Sequence, residues 1–405
     1  MKARLFFLLL YFVIGTSTHA ASRLGSVSSW AYQLQDINID VIAQNPTFEL
    51  IVIDYSTDGS DEQAFSRNDI EKIQNSGKKA IAYLSIGEAE IYRFYWQNEW
   101  DSNNNGRPDT DAPSWLGNEN PDWEGNYKVR FWDSEWQAII LSYLDKIIDQ
   151  GFDGIYMDIV DAYYYWAEEN GEQPDADALM IDFVLKLRQH VQNRGLMDFI
   201  LIPQNGEYII VEPHVTESLE QAYLDAIDAI GVEDVFFYGN KDNNNAYNPD
   251  DERLDILNLY QDSEKPVFSI EYLTDTNKIE QYHTLCQQHQ FIPYTTTREL
   301  DHLFDGVYTT VADLNLIPVR WSLEPCFPNP FNSSTLLTYR SDRKQNISLF
   351  LFNERGQLLD VLLNGEIKAG THQVPIILDV QSSGLYLISG HIGKNRISEK
   401  IMLIK

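Results

Sequence analysis

The 405-residue chain contains 61 acidic and 30 basic residues, which gives it a formal charge of −31. This charge repels nucleic acid and anionic membrane surfaces, so we exclude a nucleic-acid-binding protein, and it favours a neutral or cationic ligand. The two cysteines, Cys286 and Cys326, are too few for a disulfide framework; they either pair with each other or remain as thiols. The length allows one large domain and a small one, and we expect a monomer.

Residues 1–20 have the layout of a cleavable secretory signal. A positive start precedes an apolar run over residues 5–14, and small residues lead up to Ala20. The run is too short to span a bilayer, and no later segment has the length and composition of a transmembrane helix. We therefore expect a secreted or cell-surface protein that is not an integral membrane protein. A retained signal anchor is the alternative.

Short apolar runs alternate with helical patterns about eight times between Trp30 and Tyr294, with a long loop before the fourth run. This alternation predicts an α/β protein with a (β/α)8 TIM barrel at residues 25–315, because about 250 residues plus insertions suffice for that fold. An open doubly wound sheet is the alternative, although no glycine-rich phosphate turn follows the first run. The predicted strands are 30–34, 48–53, 79–86, 155–157, 199–203, 231–237, 266–270 and 291–294.

The sequence changes character after Pro318, where prolines crowd a short segment. We interpret residues 316–324 as a linker and residues 325–405 as a small all-β, immunoglobulin-like sandwich. Period-2 strands separated by turn signals replace the helices there. These predicted strands are 335–339, 347–352, 357–362, 372–378, 385–389 and 397–404.

Polar side chains follow the predicted strands of the barrel, where this fold places its active-site groups. Taken alone, Asp158 at the end of the fourth strand could equally cap the next helix, and Glu271 could pair with Arg298. Acids at successive strand ends favour a shared site over separate structural roles. The predicted substrate-binding residues are Trp30, Tyr32, Gln33, Asp54, Tyr55, Glu88, Glu90, Asp161, Gln204, Asn205, Glu271, Tyr272 and Tyr294.

Carboxylates surrounded by aromatic side chains are typical of a carbohydrate site. Aromatic rings stack on the apolar faces of sugars, while carboxylates and amides hydrogen-bond the hydroxyl groups. Glycoside hydrolysis requires two carboxyl groups, one ionised and one held protonated. The sequence contains no nucleophile elbow or HExxH motif, and its eight histidines are scattered, so we expect no cofactor for catalysis.

Several motifs resemble glycoside hydrolase family 114. They are IVIDY at residues 51–55, YLSIGEAE at 83–90, WLG at 115–117, NPDW at 120–123, FWD at 131–133 and GFDGIYMD at 151–158. The resemblance covers residues 30–301 and is closest to a prokaryotic branch of extracellular hydrolases related to endo-α-1,4-polygalactosaminidases. It implies a barrel and an endo-acting glycoside hydrolase whose substrate is a polysaccharide, with an α-1,4-linked galactosamine polymer as the candidate.

The resemblance also implies a catalytic pair and a retaining mechanism. The carboxylate that ends the family's fourth strand is the expected nucleophile and corresponds to Asp158; a glutamate near the sixth strand is the expected acid/base and corresponds to Glu233. The better-known branch often has Asn after the nucleophile, whereas this chain has Ile159. Ile159 in place of Asn bears on which substrate is bound more than on whether the chain adopts the family's fold. A non-catalytic carbohydrate-binding barrel on the cell surface is the alternative.

The loop at residues 101–111 resembles a calcium-binding loop. Oxygen-bearing side chains occupy its positions 1, 3, 5 and 9, and Gly106 occupies position 6. Position 12 is Ala112 instead of glutamate, and an ordinary Asn/Asp-rich turn is the alternative. The candidate ligands of a structural calcium ion are Asp101, Asn103, Asn105, Asp109 and Asp111.

The carboxyl-terminal segment resembles the type IX secretion sorting domain. Its motifs are PNPFNSST at residues 328–335, LFLFN at 349–353, SGLY at 383–386 and KIMLIK at 400–405. Such domains are β-sandwiches that direct export to the cell surface, so the resemblance implies the type IX secretion machinery as a partner. A plain accessory sandwich is the alternative.

Overall fold

The computed structural model describes residues 23–25, 27–304, 321–341, 344–353, 357–368, 370–378, 383–392 and 395–404. The chain divides into two compact units, Met1–Asn315 and Leu316–Lys405. The predicted signal at residues 1–20 lies outside the described residues. Cys286 is buried in the first unit and Cys326 in the second.

The strands of the first unit are short and largely apolar. The sequence LIVI at Leu50–Ile53 is buried along its whole length, as expected for a strand covered on both faces. In the described part of this unit the strands are β1 Trp30–Gln33, β2 Leu50–Ile53, β3 Lys79–Ser85, β4 Glu88–Glu90, β5 Leu116–Glu119, β6 Asn126–Val129, β7 Gly154–Asp158, β8 Ile200–Pro203, β9 Ile230–Glu233, β10 Val267–Tyr272 and β11 Ile292–Thr296.

Two parallel sheets contain the strands that alternate with helices. The first has the order β1-β2-β3-β7-β8 and the second the order β9-β10-β11. A parallel bridge between Gln204 and Gly231 connects the end of β8 with β9. The indole N–H of Trp30, on β1, donates to the carbonyl of Ile292, on β11, at 3.0 Å. The predicted α/β fold is thus confirmed.

The helices begin at residues that satisfy their first N–H groups. Ser66 and Asp69 form a capping box at the first turn of one helix, and Asp133, Thr216 and Asp275 accept backbone N–H bonds at three others. None of the helices in the described residues is long and apolar enough to cross a membrane. The helices are α1 Ile39–Gln44, α2 Arg67–Asn75, α3 Ser134–Gln150, α4 Ala162–Tyr164, α5 Ala176–Asn193, α6 Glu217–Ala226, α7 Asp251–Asp262 and α8 Thr276–His289, with 3-10 turns at Asn98–Asp101 and Glu207–Val211 and a π turn at Tyr165–Glu169.

The segment between β3 and α3, predicted as a long loop, is a compact insertion. Its strands β4, β5 and β6 form an antiparallel sheet in the order β4-β6-β5. Four tryptophans pack in a row: the ring centroids of Trp96 and Trp100 are 5.2 Å apart, those of Trp100 and Trp115 5.1 Å, and those of Trp115 and Trp136 5.0 Å. Burial of these large rings orders a segment whose sequence has no helical or strand period.

The second unit consists of antiparallel strands. They form two sheets in the orders β12-β13-β16 and β15-β14-β17-β18. Side chains of both sheets, such as Tyr339 and Leu349, belong to one hydrophobic cluster. The predicted all-β character is confirmed, although the first strand begins inside the predicted linker. The strands are β12 Trp321–Phe327, β13 Ser334–Ser341, β14 Gln345–Asn353, β15 Leu358–Ile367, β16 Gly370–Ile377, β17 Gly384–Ile392 and β18 Asn395–Leu403.

Candidate active site

The two acids predicted as the catalytic pair end two parallel strands. Asp158 is the last residue of β7, and Glu233 is the last residue of β9. Strand β8 lies between them, since it pairs in parallel with β7 and bridges to β9 through Gln204 and Gly231. Parallel strands bring their carboxyl ends to one edge, so both acids lie on the edge where α/β enzymes carry their active sites.

Asp158 is a half-buried carboxyl group with two donors. The hydroxyl of Tyr83 donates to its Oδ2 at 2.7 Å, and the backbone N–H of Ile159 donates to its Oδ1 at 2.8 Å. Burial raises the pKa of Asp158 to about 8; the Tyr83 hydrogen bond opposes that rise, and the charge of Glu233 adds to it. At neutral pH the free protein therefore holds a proton on Asp158 for most of the time.

Glu233 has a more polar environment than Asp158. The side-chain amide of Asn205 donates to its Oε1 at 2.9 Å, and the hydroxyl of Tyr272 donates to its Oε2 at 2.5 Å. The guanidinium of Arg298 approaches Oε2 to 3.8 Å and lies over the Tyr272 ring, 3.9 Å from its centroid. Two hydrogen-bond donors and one nearby positive charge thus surround the Glu233 carboxyl group. The two acids thus have unlike surroundings, as general acid–base chemistry requires.

Two buried tyrosines lie beneath the acids and link them electrostatically. Burial raises the pKa of Tyr32 and of Tyr156, and in both cases the charges of Asp158 and Glu233 raise it further. The Tyr156 ring crosses to β9, where an added Cβ on Gly231 would lie only 2.0 Å from the tyrosine hydroxyl oxygen. A glycine at that position is therefore required for Tyr156 to occupy the floor of the site.

The residues that follow the three central strands adopt a left-handed backbone conformation. The φ angles are 57° at Ile159, 56° at Asn205 and 54° at Asp234. This region suits Asn and Asp but is strained for a β-branched residue, so Ile159 is the outlier. The turn is tight, since a Cβ on Gly87 would lie 2.1 Å from the Ile159 carbonyl oxygen. Strained positions of this kind cluster at functional sites.

Asp161 lies at the exposed rim of the same site. The surrounding walls raise its pKa to about 6 by desolvation, and the carboxylates of Glu207 and Glu233 add to the rise. Glu207 itself is buried and forms an ion pair with the guanidinium of Arg253. Asp161 is thus the acid of this group whose carboxylate remains open to a ligand.

Asp54 and Glu90 are held in a buried ion cluster. Arg93 donates to Asp54 Oδ2 at 2.7 Å and to Glu90 Oε2 at 2.5 Å, and its side chain is 1% exposed. The hydroxyl of Tyr83 lies 3.3 Å from Glu90 Oε1 as well as 2.7 Å from Asp158. The structure therefore places Asp54 and Glu90 behind the site, where they support Tyr83, and the sugar contact predicted for them is not supported by their position.

Glu88 is also buried. It accepts from the Asn120 amide at 2.8 Å and lies 3.7 Å from the ammonium of Lys128, while burial raises its pKa. Its Oε2 has no hydrogen-bond partner among the described residues. Glu88 is the first residue of β4, in the insertion next to the site. Its side chain is too buried for the predicted contact with substrate.

Glu271 points away from the site. Residues alternate between the two faces of a strand, so Glu271 faces the opposite side from Tyr272 on β10. It is fully buried and accepts backbone N–H bonds from Phe236 and Phe237 at 2.7 and 3.3 Å. Burial raises its pKa to about 8. The alternative pairing with Arg298 is not formed, because Arg298 pairs with Asp234 at 2.5 Å, and the buried position of Glu271 does not favour the predicted sugar contact.

Most of the aromatic residues predicted to line the cleft fill the interior instead. Trp30 contacts the rings of Tyr32, Tyr156, Phe268 and Tyr294, with centroids 5.3 to 6.3 Å apart. Side chains from alternate strands fill the space between parallel strands, and large rings are efficient at this. Six predicted substrate-binding residues are at most 4% exposed: Trp30, Tyr32, Gln33, Tyr55, Tyr272 and Tyr294.

The two amides predicted from β8 do lie between the acids. Asn205 donates to Glu233 through its side chain and accepts the Glu233 backbone N–H at 3.2 Å. Gln204 is buried and accepts from the Tyr32 hydroxyl at 3.4 Å. The structure thus brings six of the predicted residues into one cluster: Asp158, Asp161, Gln204, Asn205, Glu233 and Tyr272.

The arginines of the site and the hydroxyl of Tyr83 are not among the predicted residues. Arg93, Arg253 and Arg298 each hold one or two of the acids. The sequence does contain a signal for two of these arginines. Basic residues are only half as numerous as acidic ones, and Arg93 and Arg298 closely follow the ends of strands, where the acids of the site also lie. Tyr83 lies within an apolar run, and its role depends on the register with β7, which the sequence does not display.

Two of the three carboxylates of the candidate calcium loop are engaged by the loop itself. Asp101 accepts the backbone N–H groups of Asn105 and Gly106 at 3.1 and 2.8 Å, and Asp109 accepts the N–H and hydroxyl of Ser102 at 2.9 and 2.6 Å. Within the described residues no group of three or more His, Cys, Asp or Glu side chains is arranged to hold a metal ion. Calcium at this loop stays a prediction.

Comparison with known proteins identifies the family to which this chain belongs. The sequence model of glycoside-hydrolase family GH114 matches residues 15–313. An uncharacterised protein of Methanocaldococcus jannaschii is 42% identical to this chain, and the match covers 68% of this chain and 77% of that protein. An uncharacterised protein of Thermotoga maritima is 35% identical, and the match covers 67% of this chain and 81% of that protein. The crystal structure of Aspergillus fumigatus Ega3 in complex with galactosamine is 21% identical, with a TM-score of 0.49, over 69% of this chain and 94% of that one. The family match and the sequence relatives show that this chain belongs to glycoside-hydrolase family GH114.

Proposed function

We propose that this protein is a secreted, endo-acting glycoside hydrolase that cleaves an α-1,4-linked galactosamine polymer by a retaining mechanism. The observation that supports this most is the pair Asp158 and Glu233, which end nearby parallel strands in unlike surroundings. Asp158 has one hydroxyl and one backbone donor, whereas Glu233 has an amide, a hydroxyl and a guanidinium. No metal or cofactor is needed for this chemistry.

The reaction has two balanced steps. Asp158 attacks the anomeric carbon as a carboxylate, while Glu233 donates its proton to the glycosidic oxygen and the bond to the leaving sugar breaks. Glu233 then removes a proton from water, whose oxygen attacks the anomeric carbon and releases Asp158. A retaining pair requires carboxyl groups about 5–5.5 Å apart.

The free protein reaches the reactive state by moving one proton. Burial raises the pKa of Asp158 to about 8 and leaves this residue protonated at neutral pH, so the nucleophile must first lose its proton. Transfer of that proton from Asp158 to Glu233 produces the nucleophile and the acid together, without gain or loss of protons. A bound ammonium group near Asp158 and Asp161 favours the transfer, because it stabilises a carboxylate on that side. This supports a cationic amino sugar as substrate.

The test compares hydrolysis of deacetylated and acetylated galactosamine polymers by the full chain, scored as new reducing ends. We expect Asp158→Asn and Glu233→Gln each to lower turnover at least a hundredfold, in the range of lost acid–base catalysis. Asp262→Asn, at the exposed end of α7, is the matched control and should retain full activity. Intact hydrolysis by both site variants would refute the assignment. Polymer binding without new reducing ends would favour a carbohydrate-binding barrel.

The proposal extends to the architecture. The Gln204–Gly231 bridge and the Trp30–Ile292 hydrogen bond link the two parallel sheets at both ends, which supports closure into a (β/α)8 barrel. The two antiparallel sheets around one core support an immunoglobulin-like sandwich in the second unit. We further infer that this sandwich is the type IX sorting domain and that residues 1–20 are the export signal, with the mature protein a monomer.

A further inference from the structure

An open cavity of about 500 Å³ adjoins the candidate acid/base residue. Two of its lining residues, Asp234 and Arg298, belong to the surroundings of Glu233: Asp234 is its neighbour in sequence, and Arg298 lies 3.8 Å from it and 2.5 Å from Asp234. The cavity volume lies in the range of small-molecule sites, about 300–1,000 Å³. Its position and size therefore match a binding site next to the reacting bond.

Two exposed aromatic rings line this cavity. Trp123 is 52% exposed and Tyr238 is 63% exposed, whereas the aromatic rings of the interior are almost fully buried. Trp123 projects from a tight turn in which its N–H donates to Asn120 and its carbonyl accepts from Asn126, at 3.2 and 3.1 Å. Neither ring has a packing role that explains its position, and exposed aromatic rings offer flat apolar faces to a ligand.

The cavity also carries unpaired negative charge. The carboxylates of Asp122, Asp242 and Glu299 have no ion-pair partner among the described residues, although they line the same cavity. The guanidinium of Arg298 is already engaged by Asp234, which leaves Lys241 as the remaining cationic lining residue. The net field of the cavity favours a cation that also has an apolar face.

We propose that this cavity is a subsite for one amino-sugar unit of a cationic polymer, with Trp123 and Tyr238 stacking on the ring and Asp242 and Glu299 binding the ammonium group. The inference rests on the proposed hydrolase function and assigns the subsite to the leaving-group side. The nucleophile, the anomeric carbon and the departing oxygen lie nearly in line, with Glu233 beside the oxygen. The cavity shares Asp234 and Arg298 with the surroundings of Glu233 and includes none of the residues that contact Asp158, which supports the leaving-group side.

The first experiment measures binding by calorimetry with the full chain carrying Asp158→Asn, which blocks turnover. The probes are α-1,4-linked galactosamine oligomers, a disaccharide and a hexasaccharide. We expect Trp123→Ala and Tyr238→Ala each to weaken hexasaccharide binding by roughly tenfold, equivalent to about 1.4 kcal/mol. Tyr247→Ala removes a ring outside the cavity that is 48% exposed, and it should leave hexasaccharide binding unchanged. Unchanged affinity in both cavity variants, with normal thermal unfolding, would overturn the proposal.

The second experiment tests the charge. Glu299→Gln should weaken binding of the deacetylated hexasaccharide several-fold at low salt and leave binding of its N-acetylated form unchanged, because acetylation removes the cation. Glu280→Gln, on the outer helix α8, is the matched control. If Glu299→Gln weakens binding of the deacetylated and the N-acetylated hexasaccharide equally, Glu299 does not bind the ammonium group. If Glu299→Gln and Glu280→Gln weaken binding equally, the effect comes from the net charge of the protein and not from the cavity.

Hydrolysis and binding separate the two claims. If the wild-type chain releases no reducing ends while Trp123→Ala still weakens oligomer binding, the hydrolase function fails and the amino-sugar subsite stands. If the wild-type chain hydrolyses the polymer and the cavity variants bind and hydrolyse the hexasaccharide normally, the function stands and the subsite is refuted.

Discussion

The hydroxyl of Tyr83 makes the only side-chain hydrogen bond that the described residues donate to Asp158, at 2.7 Å. Tyr83→Phe removes this hydroxyl and retains the ring over which Arg93 lies. The carboxyl then keeps the Ile159 N–H as its donor and stays half-buried. Because the lost bond favours the ionised form, the pKa of Asp158 should rise further above about 8.

The magnitude follows from the strength of the bond. A hydrogen bond to a charged group contributes about 1.5–3 kcal/mol, and one pKa unit corresponds to about 1.4 kcal/mol, so the rise should be about one to two units. The same free energy opposes transfer of the proton from Asp158 to Glu233. The reactive arrangement of the pair should therefore become roughly 10- to 100-fold rarer.

The assay is the pH dependence of kcat/KM, which reports the free enzyme. Activity requires one proton on the pair, so it falls when that proton is lost, which the pKa of Asp158 places at about pH 8 and above in the wild type. In Tyr83→Phe this alkaline limb should move up by one to two pH units, while the plateau falls by the factor given above. Tyr164→Phe, an exposed ring, is the control and should reproduce the wild-type profile.

The two effects must occur together if the reasoning is right. A lower plateau with an unshifted alkaline limb would mean that Tyr83 acts through packing or through Glu90 instead of through the proton on Asp158. A shift of the limb to lower pH would contradict the direction of the hydrogen bond. Either result would refute the proposed proton arrangement.

Glu271→Gln should stabilise the fold by up to about 4 kcal/mol at pH 7, because the pKa of the buried carboxyl is raised to about 8 from about 4.3 in the unfolded chain. The folded wild type binds more protons than the unfolded chain between these two pKa values, so its stability falls as the pH rises from about 4 to about 8. The melting temperature of Glu271→Gln should therefore exceed that of the wild type at pH 8 and equal it near pH 4. Glu264→Gln, at an exposed position, is the control. If calcium binds at residues 101–111, EGTA should lower the melting temperature relative to excess calcium, whereas equal temperatures would remove that prediction. Deletion from Pro325 onward should abolish cell-surface export in a type IX-competent host, and unchanged export would leave a plain accessory sandwich.

The fold could be predicted because its signals are local. Apolar runs such as residues 50–53 alternate with capped helical segments, and that alternation is enough to indicate parallel strands covered by helices. The change to period-2 strands near Pro318 similarly marks the second unit. The insertion between β3 and α3 could not be predicted in this way, because its order comes from contacts between tryptophans far apart in sequence, such as Trp100 and Trp136 through Trp115.

The sequence by itself determined that Asp158 ends an apolar strand, and the family resemblance indicated Glu233 as its partner. The structure ends β9 at Glu233, whereas the predicted strand continued to residue 237. Only the tertiary structure decided which polar groups remain available. Arg93 engages Asp54 and Glu90, strand alternation turns Glu271 away, and rings such as Trp30 fill the interior. A side chain's partners depend on register and packing between strands, which composition and spacing do not encode. Asp161 at the rim and Trp123 beside the cavity stay open to a ligand because packing leaves them exposed.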